Sequence, residues 1–273
     1  MARPRFLRKT FVVPAEHGSW AWWLAPFVVG AGVGGRLGLD TALLFVTVLC
    51  GFLLHQPAVI AVKARTGRRR PDDLRPALVW IVLLGLASGA AALALVLRGH
   101  GTALLVLAPV GALLAAQLAL VARRRERRAV LVQIGGAALL SLVAPAAYAA
   151  SGGALDARAW ILGGLCALGI AAAVANVYLL LAQGGWKALP PIATRLRHGR
   201  TTLGLHALGL AAATTLAALG HAPWAGLVPF VATAAEALDT VLRPRLGIRP
   251  ARAGATQMLW IAIFVAGLLV AWR

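Results

Sequence analysis

The stretch PAEHGSWAWWLAPF, residues 14–27, places a carboxylate and an imidazole side by side at the start of an apolar run. A glutamate beside a histidine can act as a general base near neutral pH. Two other roles stay open for Glu16: it can cap the first turn of a helix, or pair inside the protein with an arginine or with His55. We take Glu16, His17 and His55 as the candidate catalytic residues. The tryptophans that follow predict an interfacial belt.

A second set of polar and basic residues has the chemistry to bind a ligand. Polar groups inside hydrocarbon cost several kcal/mol unless they are partnered, so they usually face a bundle interior or a wet cavity. We predict a polar cavity; the alternative is that these side chains simply reach the membrane interface. The candidate substrate-binding residues are Gln56, Lys63, Arg65, Arg68, Asn176, Tyr178, Gln183, Lys187, Arg195, Arg197, Arg200 and His206.

The elements that position these residues are membrane helices. Apolar residues make up 60% of the chain, and the mean hydropathy is +0.82, far above a soluble domain. Apolar runs of about 20 residues, long enough to cross a bilayer, recur along the whole sequence. The predicted spans are 18–35, 41–62, 76–97, 102–122, 129–150, 158–183, 201–220, 223–242 and 256–272. We predict an all-α polytopic membrane protein with one transmembrane domain over residues 1–273 and nine helices.

The basic residues predict the orientation of these spans. Five segments, in alternate loops and at the N-terminus, hold all but four of the 27 lysines and arginines. These basic segments are 3–9, 63–75, 123–128, 186–200 and 243–252. The positive-inside rule then places the N-terminus in the cytoplasm and the C-terminus outside. Most candidate residues, together with Glu236, Asp239 and Gln257, fall in the cytoplasmic half.

The formal charge of +19 does not indicate nucleic-acid binding, because the basic residues are divided among separate loops. Topology and attraction to anionic lipid headgroups account for the charge, so we expect membrane lipids as partners. Composition rich in Ala, Arg and Gly is typical of a GC-rich bacterium, and we expect the cytoplasmic (inner) membrane. Cys50 and Cys166 both lie within spans, which argues against a structural disulfide. The oligomeric state is left open.

Several motifs resemble a known family. EHGSWAWWLAPFVVG, residues 16–30, resembles the EHGAW-type signature of the YwiC-like integral membrane proteins of bacteria. The resemblance continues in LHQPAVIAVKARTGRRR (54–70), TTLGLHALGL (201–210) and LRPRLGIRPARAG (242–254), so it covers nearly the whole chain. It implies a membrane architecture and leaves the chemistry open.

The architecture also resembles, more distantly, the UbiA superfamily of membrane prenyltransferases. Those enzymes carry Asn-Asp-x-x-Asp-x-x-x-Asp near the end of helix 2 and a second aspartate motif near the end of helix 6. The carboxylates hold magnesium ions, which in turn hold an isoprenoid diphosphate. With His55 at the asparagine position, the aspartates are replaced here by Gln56, Val59 and Lys63.

The second motif fails as well, because no Asp or Glu occurs between Asp156 and Glu236. Magnesium sites use carboxylate oxygens, so we predict no magnesium, no other cofactor and no metal ligands. Arginine forks bind phosphate oxygens without a metal. We therefore hypothesise that the loops after helices 2 and 6 clamp an anionic headgroup whose apolar tail lies in the bundle. The ligand would be an isoprenoid diphosphate, a polyprenyl phosphate or a phospholipid; the alternative is that these cations only fix topology.

Three function classes follow. The first is a UbiA-like protein that binds or transforms an anionic isoprenoid or lipid phosphate, which as an enzyme would be a non-standard prenyltransferase or lipid-modifying transferase. The second is a transporter of a small anion or metabolite, and the third is a non-catalytic accessory subunit of a membrane complex. A cavity that is closed at its outer side would favour lipid chemistry over transport.

Overall fold

The computed structural model describes residues 11–13, 18–123 and 129–272, with the backbone alone for 129–132. All regular structure in these ranges is helical, which confirms the predicted fold class. Glu16 and His17 lie outside the described residues, as do segment 3–9 and residues 124–128 of the third basic segment.

Eleven α-helices make up the described bundle, with two short 3₁₀ turns at Pro71–Asp73 and Trp224–Leu227. The helices are α1 Ser19–Gly34, α2 Leu39–Arg65, α3 Leu74–Leu97, α4 Gly101–Val106, α5 Ala108–Ala122, α6 Ala129–Leu140, α7 Val143–Ala150, α8 Ala157–Gly184, α9 Ile192–Ala218, α10 Val228–Leu242 and α11 Pro250–Trp272.

Eight segments of the described chain are long and apolar enough to cross a membrane, and they correspond to the second to ninth predicted spans. The first predicted span forms α1, whose 16 residues extend about 24 Å. That is shorter than a hydrocarbon core of about 30 Å, and α1 packs among other helices. The fold is that of a multi-pass helical membrane protein.

Prolines explain why two of the predicted spans are each made of two helices. The fourth span breaks between α4 and α5 at Leu107, two residues before Pro109. The fifth breaks between α6 and α7 at Ser141 and Leu142, just before Pro145. A proline inside a helix lacks an N–H donor, and its ring clashes with the carbonyl four residues back. Each break lies within that four-residue reach.

Helix α1 lies between two groups of helices. On one side, α2 packs mainly along α3 and also touches α5 and α7. On the other side, α8 packs along α9, and α9, α10 and α11 follow one another. Helix α1 contacts α7, α8 and α11, so it joins the two groups. The second basic segment, residues 63–75, therefore belongs to one group, and the fourth and fifth belong to the other.

The close contact of α1 with α7 requires a glycine. A Cβ atom at Gly30 would lie 2.1 Å from the carbonyl oxygen of Ala144, and a backbone atom cannot yield cheaply. Nearby, Trp23 is only 1% exposed and packs against Phe45 and Phe52 with ring centroids 5.7 and 5.8 Å away. Trp23 is thus a core residue, and its assignment to an interfacial belt was wrong.

The helix ends define two faces of the bundle. We call the face formed by the α2–α3, α8–α9 and α10–α11 connections the basic end, and the other face the opposite end. At the opposite end Asp40 accepts hydrogen bonds from Arg98, and His100 Nε2 lies 3.3 Å from its Oδ2. The hydrogen bond to Asp40 raises the pKa of the Arg98 guanidinium above its ordinary value. This contact ties the start of α2 to the end of α3.

Candidate functional site

Five buried polar side chains form what we call the inner polar cluster, on the basic-end side of α8, α10 and α11. Each is at most 5% exposed, and they are Asn176, Gln183, Glu236, Thr240 and Gln257. The spacing within each helix explains the common face: seven residues separate the two α8 members, and four separate the two on α10, which are whole-turn intervals.

Glu236 is the centre of the cluster. Asn176 Nδ2 donates to Glu236 Oε2 at 2.6 Å and to Gln257 Oε1 at 3.2 Å, while Thr240 Oγ1 donates to Glu236 Oε1 at 3.1 Å. A buried carboxylate is tolerated when donors surround it, and here they come from α8 and from α10 itself. The Oδ1 atom of Asn176 is buried without a hydrogen-bond partner among the described residues.

Gln183 connects this cluster to the α10–α11 connection, residues 243–249. Its Nε2 donates to the carbonyl oxygen of Thr240 at 2.8 Å, and its Oε1 accepts from the backbone N–H of Arg245 at 3.2 Å. The Arg245 side chain points the same way, with Nη2 3.8 Å from Glu236 Oε1. The cluster thus holds both the backbone and the guanidinium of Arg245.

The α10–α11 connection also lies directly on the end of α8. A Cβ atom at Gly184 would come within 2.8 Å of the carbonyl oxygen of Ile248, so only glycine allows this approach. The start of α9 is bound to the same place, since Arg195 Nη1 donates to the carbonyl oxygen of Leu242 at 2.5 Å. The fourth and fifth basic segments therefore meet at one point of the basic end.

The remaining cations of the fourth segment face outward. Lys187, Arg197 and Arg200 are exposed, and they form no ion pair with another described residue. His198 is also exposed and contacts the Trp186 ring, with ring centroids 5.5 Å apart. This segment presents free cationic groups to whatever occupies the basic end.

His206 borders a small chamber next to the inner polar cluster. Its Nδ1 lies 2.8 Å from the carbonyl oxygen of Thr202, so Nδ1 carries the proton and Nε2 is left as an acceptor in the neutral ring. The chamber has a volume of about 10 Å³ and is also lined by Thr233, Gln257 and Trp260. That space suits a single water molecule.

The second basic segment, residues 63–75, is held differently. Arg68 donates to Thr66 Oγ1 at 3.2 Å and to the carbonyl oxygen of Val121, so it closes the end of α5. Arg69 pairs with Asp73 at 2.8 Å. Arg65 is exposed, whereas Lys63, Gln56 and His55 are half-buried along α2.

The structure brings some of the predicted residues together and separates others. Asn176 and Gln183 share the inner polar cluster, and His206 borders it. Tyr178 instead donates to Gln133, on the side of α8 that faces α6. The two halves of the hypothesised clamp lie on different helix groups, and a joint role for them stays a prediction.

The sequence placed Glu236 in the same half of the bundle as the other polar residues, but Glu236 was not chosen as a candidate site residue. Thr240 and Arg245 were not chosen either. The available signal was strong for Glu236, because an acid inside an apolar span marks a functional site by default. Arg245 gave no comparable signal, since it is one of four arginines between positions 243 and 252.

Magnesium of the UbiA type does not fit this donor set. Among the described residues no group of three His, Cys, Asp or Glu side chains is placed to hold a metal ion. Glu236, the carboxylate that Asn176 of α8 contacts, already accepts two hydrogen bonds and faces Arg245. A divalent cation there would displace those donors and meet a guanidinium of like charge.

Comparisons with known proteins agree with this architecture. The family model for "YwiC-like protein" matches residues 13–148. A solved structure described as a UbiA homolog from Archaeoglobus fulgidus superposes with a TM-score of 0.57 at 15% sequence identity, over 93% of this chain and 96% of that one. No curated protein sequence matches. The chain therefore matches the YwiC-like family over residues 13–148 and has a UbiA-like helical fold.

Proposed function

We propose that this protein binds or transforms an anionic isoprenoid or lipid phosphate, with the headgroup at the basic end and the apolar chain among the helices. One observation carries this proposal: in a UbiA-like fold, the end of α8 and the start of α9 present free cations where the superfamily carries its second aspartate motif. Lys187, Arg197 and Arg200 are those cations.

The chemistry of the basic end suits a phosphate group. Arginine forks bind phosphate oxygens in two-point geometry, and a charge-assisted hydrogen bond is about twice as strong as a neutral one. A headgroup bound this way needs no metal, which agrees with a donor set that does not suit magnesium. The same cations meet anionic lipid headgroups at the membrane surface.

Packing at the other end supports lipid binding over transport. A cleft of about 690 Å³ at the opposite end is lined by Arg158, His221 and Trp272. Between this cleft and the inner polar cluster lies an apolar core that includes Phe230, Phe264 and Leu268, each at most 4% exposed. A polar solute would have to cross this packed layer, whereas a lipid would approach from the bilayer.

Orientation and location belong to the same proposal. The positive-inside rule places the basic end in the cytoplasm, so the headgroup would come from the cytoplasmic leaflet of the bacterial inner membrane. His55, with Glu16 and His17, is then the candidate for acid–base chemistry if the bound lipid reacts.

The test is binding of geranylgeranyl diphosphate and of undecaprenyl phosphate to the purified protein in detergent, with magnesium and with chelator. We expect saturable binding that survives chelation. The double variant Lys63→Ala/Arg197→Ala should bind at least about tenfold more weakly, since each removed contact is charge-assisted. Arg36→Ala is the matched control, because Arg36 is an exposed cation at the opposite end.

Two outcomes would contradict us. Absence of binding to the wild-type protein in both buffers would remove the isoprenoid function and lead to transport assays. Equal affinity for the double variant and the Arg36→Ala control would exclude a clamp formed by these two cations. Product formation from either lipid would establish an enzyme, and Glu16→Gln and His55→Ala would then be tested for loss of turnover.

A further inference from the structure

We propose that Arg245 is a phosphate-binding residue of the basic end, and that Glu236 and Gln183 are the positioning residues that hold it there. This inference rests on the proposed function and extends it to the α10–α11 connection. It also gives the inner polar cluster a role, because the buried carboxylate of Glu236 orients Arg245 for contact with the headgroup.

The backbone of Arg245 is fixed before any ligand binds. Gln183 Oε1 accepts its N–H at 3.2 Å, and Gln183 itself is fully buried and anchored to the Thr240 carbonyl. Three residues later, Ile248 packs on Gly184 at a distance that excludes any side chain. Because the backbone is held at Arg245 and again at Ile248, this segment loses little conformational entropy when a ligand binds, which favours affinity.

The guanidinium of Arg245 is oriented by Glu236, but it forms no hydrogen bond with that carboxylate. Its Nη2 lies 3.8 Å from Glu236 Oε1, beyond hydrogen-bond length, so attraction orients the side chain while its N–H donors stay available. Glu236 cannot move outward to close this gap, because Asn176 and Thr240 hold its two oxygens. The Arg245 side chain is 35% exposed, which leaves the guanidinium accessible from the basic end.

The position of Arg245 places it beside the other cations. Arg195 ties the start of α9 to Leu242, three residues before Arg245, and the end of α8 that precedes Lys187 lies under Ile248. A phosphate at this junction can be reached from the α8–α9 connection and from the α10–α11 connection. Arginine suits this role because its fork binds two oxygens at once.

Arg243 provides a matched control from the same connection. It is 85% exposed, and its Nη1 lies 3.6 Å from Asp239 Oδ1, one turn back on α10. It carries the same charge two residues away, but its ion pair is with Asp239 and not with Glu236. Any effect of general charge on a lipid phosphate should be equal for the two arginines.

The experiment measures the affinity of the purified protein for undecaprenyl phosphate, in chelator, for wild type and for Arg245→Ala, Arg245→Lys and Arg243→Ala. We expect Arg245→Ala to weaken binding at least about tenfold and Arg243→Ala less than about twofold. Arg245→Lys keeps the charge and the pairing with Glu236 but loses the fork, so its affinity should fall between wild type and Arg245→Ala. Thermal unfolding confirms that each variant is folded.

The positioning role is tested by a double-mutant cycle. Glu236→Gln should weaken binding severalfold in the wild-type background and leave it unchanged in the Arg245→Ala background. A carboxylate that only stabilises the bundle would lower the unfolding temperature in both backgrounds and leave affinity alone, which would overturn the positioning role.

The failures are distinguishable. If wild type does not bind the lipid, the proposed function fails and this inference fails with it. If wild type binds and Lys63→Ala/Arg197→Ala loses affinity while Arg245→Ala and Arg245→Lys do not, the proposed function stands and the role of Arg245 is refuted.

Discussion

At the scale of single residues, the balance of donors around Glu236 determines whether a charge can stay buried among membrane helices. Asn176 supplies the shortest hydrogen bond to this carboxylate and a second bond to Gln257, so one amide links three helices. We predict that Asn176→Leu lowers the free energy of unfolding by about 1–3 kcal/mol, because it leaves the carboxylate with an unfilled acceptor in a dry site.

The measurement is reversible unfolding in detergent, followed by far-UV circular dichroism. Asp239→Asn is the control, since Asp239 pairs with exposed Arg243 at 3.6 Å and such surface pairs contribute about 0–1 kcal/mol. If Asn176→Leu were as stable as that control, Glu236 would not depend on the amide.

The same residues show how far sequence reasoning can reach. Depth along a helix follows from position in an apolar run, which is why the sequence predicts polar side chains inside the bundle at Asn176, Gln183 and His206, and all three are buried. Their role in substrate binding stays a prediction. Contact between Asn176 and Glu236 depends on how α8 and α10 rotate about their axes, and that rotation is set by packing between helices whose contacting residues are 60 apart in sequence. A single sequence contains no direct record of it.

At the scale of helices, hydropathy predicts which membrane helices exist better than it predicts where each helix begins and ends. Helix α9 begins at Ile192, nine residues before the predicted span, because the structure has Pro191 at its N-cap and the following RLRH residues are mostly good helix formers. A span predicted from an apolar run stops at the first charged residues, although the helix itself continues past them. Arg195, Arg197 and Arg200 therefore lie on a rigid helix and not in a loop.

Close helix contacts are the second feature of this scale, and Gly30 tests them. Lipid tails are as apolar as the helix surfaces, so the hydrophobic effect does not drive membrane helices together. They pack instead through small residues that let their backbones approach closely. We predict that Gly30→Ala destabilises the bundle by about 1–3 kcal/mol, because its Cβ would overlap the Ala144 carbonyl and force α1 away from α7.

Gly89→Ala is the matched control for this prediction. Gly89 lies on α3 with no atom within 4 Å of its added Cβ, so alanine should be neutral or stabilising by about 0.5–1 kcal/mol. Unfolding midpoints of the two variants give the comparison. Equal midpoints would mean that α1 can shift without cost.

At the scale of the whole molecule, most of the positive charge lies in five short segments of the sequence. Of the 27 lysines and arginines, Arg36, Arg98, Arg158 and Arg273 are the four outside the basic segments. Arg98 and Arg158 are engaged in local contacts, with Asp40 and with the Trp272 carbonyl. In the described part of the chain, the second, fourth and fifth basic segments lie at the basic end, where in our proposal they serve orientation and phosphate binding.

This asymmetry predicts the topology, which can be measured directly in cells. We expect Lys187→Cys, at the basic end, to react with a membrane-impermeant maleimide only after the cells are permeabilised. His221→Cys, at the opposite end, should react in intact spheroplasts. Cys50 and Cys166 lie within helices, half-buried and buried, so the unaltered protein gives the background. Labelling of Lys187→Cys in intact spheroplasts would place the basic end outside, and a headgroup bound there would then have to come from the outer leaflet.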